Sequence, residues 1–84
     1  MVFVHAEILR KHFDAINVFY CKNEFLLILE NDLEWFVFEC EKMKLVQKFG
    51  IEEQIFSCTD REWQQTRNQP GSLCAHFKEN GELL

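Results

Sequence analysis

The sequence predicts an α+β fold: an N-terminal amphipathic helix packed on an antiparallel meander of about four or five strands, then a short second helix and a C-terminal strand. Three observations carry this expectation. Residues 5–16 repeat their apolar positions at helical spacing. The runs INVFYC and EFLLIL are β-branched and aromatic, of strand length, and separated by Lys22-Asn23, a two-residue turn pair. Thr59-Asp60-Arg61-Glu62 carries the capping-box pattern that begins a helix. With 84 residues, three glycines and one proline, the chain reads as a single domain, 1–84, with room for one core.

Placed at about 100° per residue, Ile8, Leu9, Phe13, Ala15 and Ile16 of the 5–16 segment share one arc, and Glu7, Arg10, Lys11 and Asp14 lie opposite. His5 and His12 fall on the apolar arc, where a packed helix places them at its flanks or buried with a partner. From Asn17 the periodicity changes. Both strand-like runs are apolar on both faces, so they are central strands, with the helix on one side and another element covering the other. Asn31-Asp32 then supplies turn chemistry.

Two readings compete for LEWFVFECE, residues 33–41. As a helix capped by Asp32 and stopped at Gly50, its apolar residues scatter around the whole axis and its charges scatter with them. As a strand, Leu33, Trp35 and Val37 share one face and Glu34, Phe36, Phe38 and Cys40 the other, so strand is the expectation, with a bulge or an end near Glu39. Lys42 to Cys58 reads as a further hairpin turned at Gly50, although Ile51 and Ile55 also suit a short helix. A helix is expected over 60–67, anchored by Trp63. Asn68 to Gly71 form a loop, SLCAHFK alternates as a strand, and Asn80-Gly81 signals a type I′ hairpin into Glu82-Leu83-Leu84.

Charge narrows the function classes. Nine Lys and Arg against fourteen Asp and Glu give a net charge of -5, and residues 24–41 hold six acids and no base. A phosphate backbone is bound by neutralising it, so nucleic acid is not expected as a partner. Apolar runs stop at about five residues, far short of the ~20 that a membrane span needs, and no secretory leader precedes them, so no membrane partner is expected and the location expected is cytoplasmic.

Chemistry is sparsely represented. The four cysteines, at 21, 40, 58 and 74, include no C-x-x-C and are expected as free, mostly buried thiols. Cys74 and His76, two apart on an expected strand and so on one face, form the only pair with metal-ligand spacing. They would need a further donor from Cys58, Cys21, His5 or His12. The three glycines are isolated and give no phosphate loop, and neither G-x-S-x-G nor H-E-x-x-H occurs, so neither an enzyme nor a cofactor is expected. What stands out is nine Phe, two Trp and one Tyr in so short a chain. Glu34, Trp35, Phe36, Phe38, Glu39 and Glu41 are the expected partner-binding residues, with rings as anchors and acids steering a protein partner that has a basic surface, as a small inhibitor or immunity-type protein does. The same face would suit a homodimer. The alternatives are a metal- or redox-responsive protein using Cys74 and His76, and a ligand pocket between the first helix and the sheet with His5 and His12 at its mouth.

Overall fold

The computed structural model describes residues 1–84. The expected hairpin forms at its centre: β1 (Asn17–Cys21) and β2 (Glu24–Leu29) pair antiparallel, with Asn17 opposite Ile28 and Cys21 opposite Glu24. Lys22 and Asn23 between them have φ of 42° and 68°, the left-handed backbone that a type I′ loop requires. Asn adopts that region readily, and Lys22 bears its steric cost for the sake of the register.

Phe25 to Leu29 are all buried, so β2 has no polar face to turn to water. Helix α1 (Val2–Phe13) and helix α2 (Trp35–Phe49) cover one side of it, with Ala6, Leu9, Phe38 and Leu45 packing on Val18, Phe25 and Leu27. On the other side lie α3 (Asp60–Thr66) and α4 (Leu73–Asn80), whose Trp63, Cys74 and Phe77 pack on Leu26, Ile28 and Cys21. Phe19 of β1 stacks on Trp63 at a ring-centroid distance of 4.6 Å. Each fully buried large side chain contributes roughly 1.5–3 kcal/mol, so this double-sided burial is the main source of cohesion. The interior is therefore two apolar layers, one on each face of the sheet, rather than one.

The α+β class holds, with four helices and a four-stranded sheet, but the antiparallel meander does not. The sheet is mixed, in the order β3-β2-β1-β4, where β3 is Gln54–Thr59 and β4 is Glu82–Leu83. β3 runs parallel to β2, pairing Glu24 with Gln54 through Leu29 with Thr59. A parallel pair cannot be joined by a tight turn and needs a crossover, usually a helix. That requirement overrides both strand readings of 33–49: the segment is the crossover helix α2, which ends where Gly50 takes φ 65° and its N–H bonds the Val46 carbonyl. The expected hairpin of 42–58 is thus half helix and half parallel strand.

Three other differences are local. SLCAHFK is helical, with the Ser72 hydroxyl accepting from the Ala75 N–H, because Cys74, Ala75 and Phe77 form a buried helical stripe while Leu73, which an alternating strand would bury, is exposed. Gly81 has φ −92°, so Asn80-Gly81 is no I′ turn. It ends α4, and the last strand pairs with β1, Phe19 opposite Leu83. The first helix stops at Phe13, where Asp14 takes φ 52° and its N–H bonds the Arg10 carbonyl, leaving Ala15 and Ile16 outside it. The second predicted helix forms as read: Glu62 N–H donates to Thr59 Oγ1 and Thr59 N–H to Glu62 Oε1, each at 3.1 Å. No helix is long and apolar enough to cross a membrane.

Two glycines are required for different reasons. At Gly50 a Cβ would meet nothing within 4 Å, so only the positive φ excludes other residues; at Gly81 a Cβ would lie 2.6 Å from the Phe77 carbonyl oxygen and 3.3 Å from that of Tyr20. Denaturant unfolding should therefore show a loss of about 1–2 kcal/mol for Gly50→Ala, largely restored by Gly50→Asn, which tolerates that backbone. Gly81→Ala should cost about 1–3 kcal/mol, and Gly81→Asn should be no better. Rescue by Asn at position 81 would contradict the close approach.

Candidate functional site

Helix α2 presents two apolar faces. Phe38 and Leu45 point inward, and the Phe38 ring meets Phe13 of α1 at 5.0 Å between centroids. On the opposite side Phe36, Cys40 and Met43, spaced i, i+4 and i+7 and so aligned on one helical face, are exposed to solvent. Trp35 flanks them at the first turn. Trp35 is 73% and Phe36 63% exposed, against 6% for Phe38. Together with Glu39 and Lys44, these four side chains line a shallow apolar groove. An ordinary soluble helix has one apolar stripe; here a second, headed by two exposed aromatics, faces solvent.

The six residues expected at a partner-binding face therefore divide. Glu34, Trp35 and Phe36 are exposed together at the start of α2. Phe38 is turned into the core. Glu39 is held by Lys42 at 2.8 Å, while Glu41 is turned toward α1, where it accepts from His12 Nε2–H at 3.1 Å and also pairs with Lys44 at 3.4 Å. Free acidic charge lies instead in the loop leading into the helix: Glu30, Asp32 and Glu34 are exposed, and none of them takes part in the salt bridges of the structure. Cys40 and Met43 complete the outer stripe and were not among the expected binding residues. Their spacing from Phe36 was the available signal, and it emerges only once the segment is drawn as a helix.

The histidines do not stand at the mouth of a pocket beneath α1. His5 is buried and donates from Nδ1–H to Glu53 at 2.9 Å, and His12 donates to Glu41. Between them these two bonds fasten α1 to α2 and to the loop that follows it. The Cys74–His76 pair is likewise separated, because two positions on a helix are about 200° apart. Cys74 faces inward with its Sγ 3.7 Å from that of Cys58. His76 faces outward, with Nε2 3.8 Å from Cys21 Sγ and 4.0 Å from Glu24 Oε1. No cluster of three or more His, Cys, Asp or Glu side chains is arranged to hold a metal ion. Cys21 itself is buried beneath the His76 ring.

A second apolar group, the exposed Phe3 and Val4 with the half-buried Ile8, lies on α1 beside Glu7 and Lys11. Its border carries one acid and one base, so it has no preference for the sign of a partner's charge.

The His–Glu clasps make stability depend on pH. The His12 bond, and after it Lys44, hold the Glu41 carboxyl below its usual 4.5. At Glu53 burial pushes the carboxyl up, and its own backbone N–H together with His5 outweighs that, leaving it below 4.5 as well. Carboxylates held low in the folded state stabilise it above 4.5 and lose that contribution as the pH falls through their folded values. Thermal unfolding followed from pH 6 to pH 3 should accordingly show the wild type losing Tm more steeply below about 4.5 than the Glu41→Gln/Glu53→Gln variant, which starts lower. Parallel curves would remove the clasps from the account.

Comparison of the chain with protein-family models, with curated proteins and with solved structures finds no match in any of the three.

Proposed function

We propose that this chain is a non-enzymatic protein-binding module, of the inhibitor or immunity type, whose helix α2 seats its outer stripe in an apolar groove of a partner rimmed by Lys and Arg. The observation that carries the reading is the exposed pair Trp35 and Phe36 at the head of the Phe36, Cys40, Met43 stripe, directly after three unpaired acids. Helix-in-groove recognition uses such i, i+4, i+7 anchors. Large aromatics carry a disproportionate share of interface energy, since burying them removes much apolar area from water at little conformational cost. Glu30, Asp32 and Glu34 would raise the encounter rate with a basic rim.

Charge also ranks the candidate occupants. A second copy of the chain would bring the same acids against one another on a protein of net charge -5, which favours a partner of opposite sign over a homodimer. Lys42 and Lys44 are engaged by Glu39 and Glu41, so α2 offers no free basic row for a phosphate backbone. Four free thiols fit the cytoplasmic setting proposed for the module.

The two indole N–H signals in an NMR titration give a direct readout, because Trp35 is exposed and Trp63 buried. A helical peptide of alternating Leu and Lys faces should shift the Trp35 indole and leave that of Trp63 in place, and added salt should weaken it. Trp35→Ala/Phe36→Ala should reduce its affinity at least about tenfold with the circular dichroism unchanged, whereas Phe3→Ala/Val4→Ala on α1 should not. Equal binding by the two double variants, or by a Leu/Glu peptide, would contradict the reading. A dimer in light scattering that Trp35→Ala/Phe36→Ala abolishes would assign the face to a second copy instead.

A further inference from the structure

The inner face of α4 meets the last strand of the parallel pair at two sulfurs. Cys58 of β3 and Cys74 of α4, 16 positions apart in sequence, lie with Sγ atoms 3.7 Å apart, the Cys74 thiol donating to Cys58. Sulfurs in a disulfide are about 2.05 Å apart, so closure asks each to move by about 0.8 Å. The other two thiols are differently placed: Cys21 faces His76, and Cys40 is exposed on the outer stripe of α2.

We propose that Cys58 and Cys74 form a reactive dithiol which a small-molecule disulfide converts to an intramolecular bond, stapling α4 to β3. Both thiols are buried, and burial, followed by the proximity of Cys74, pushes the Cys58 thiol well above its ordinary value. The thiolate is the nucleophile in exchange, so the closed structure protects the pair and reaction waits on α4 lifting from the sheet. α4, an eight-residue helix held through Cys74, Ala75 and Phe77, is the element whose lifting would expose the pair. In the step itself Cys74, carried out with α4, loses its proton to solvent and attacks the small disulfide, forming a mixed disulfide and expelling one small thiolate. The deprotonated Cys58 sulfur then attacks the Cys74 sulfur, forming the Cys58–Cys74 bond and expelling the second small thiolate. Two electrons pass from the protein thiols to the small disulfide, and the two protons released leave it as two thiols. The inference stands apart from the docking role of α2, since the two sulfurs lie on the opposite face of the sheet.

The test uses the full chain in glutathione buffers of graded oxidised fraction, followed by alkylation of the remaining thiols and peptide mapping. The expected result is a cross-linked peptide pair containing Cys58 and Cys74, lighter by two hydrogens than the two thiol peptides together, with Cys21 still free and the exposed Cys40 carrying glutathione. The cross-link should appear before Cys21 is modified, and the oxidised form should melt higher by roughly 10 °C. Cys58→Ser and Cys74→Ser should each abolish the two-hydrogen loss, and a reducing agent should restore all four thiols. If either variant fails to fold, the wild-type peptide map alone decides. Cys58 and Cys74 still alkylated when Cys40 is fully converted to its glutathione adduct, or a cross-link joining either of them to another cysteine, would overturn the proposal.

Discussion

The structure depends on one constraint: a strand with no polar face. Phe25 to Leu29 place apolar side chains alternately on both sides of the sheet, and water must be excluded from each. Helices on one side would leave Leu26 and Ile28 bare, or else Phe25 and Leu27. β3 runs parallel to β2, which requires a crossover between them; α2 supplies it on the α1 side, and α3 and α4, following β3, cover the other side.

That constraint explains which parts of the fold were legible in the sequence. Elements whose chemistry is local were readable: Lys22-Asn23 as a two-residue turn, Thr59 and Glu62 as reciprocal caps, and the Leu9 and Phe13 arc of α1. Elements whose state is decided by distant partners were not. α4 was hidden because Leu73, Ala75 and Phe77 also satisfy a two-residue period, and only the exposure of Leu73 distinguishes the two. β3 resembles half of a local hairpin in sequence because its true partner lies far earlier in the chain, pairing Glu24 with Gln54. α2 was hidden by its own bifunctionality. A helix with Phe38 and Leu45 on one face and Phe36, Cys40 and Met43 on the other shows apolar residues all round its axis, and that pattern argues against an amphipathic helix when only one buried face is expected.

Apolar residues on α2 that the core does not use are those that made the helix unrecognisable, so the failure of the periodicity and the exposed stripe have a single cause. The acids divide along the same line. Glu39 and Glu41 are consumed in holding α2 together and against α1, whereas Glu30, Asp32 and Glu34 remain unpaired where the chain turns into the helix. The sequence puts Glu34, Glu39 and Glu41 on one binding face; in the helix Glu39 and Glu41 are engaged in ion pairs, and of the three Glu34 alone is unpaired.

If the outer stripe serves a partner, it contributes nothing to folding, and that is measurable without knowing the partner. Equilibrium unfolding of Phe36→Ser/Met43→Ser should match the wild type to within about 0.5 kcal/mol, while Phe38→Ala, two positions away on the inner face, should lose about 3–5 kcal/mol. A loss for the outer pair as large as that for Phe38→Ala would show that the stripe belongs to the core and leave no surface for a partner.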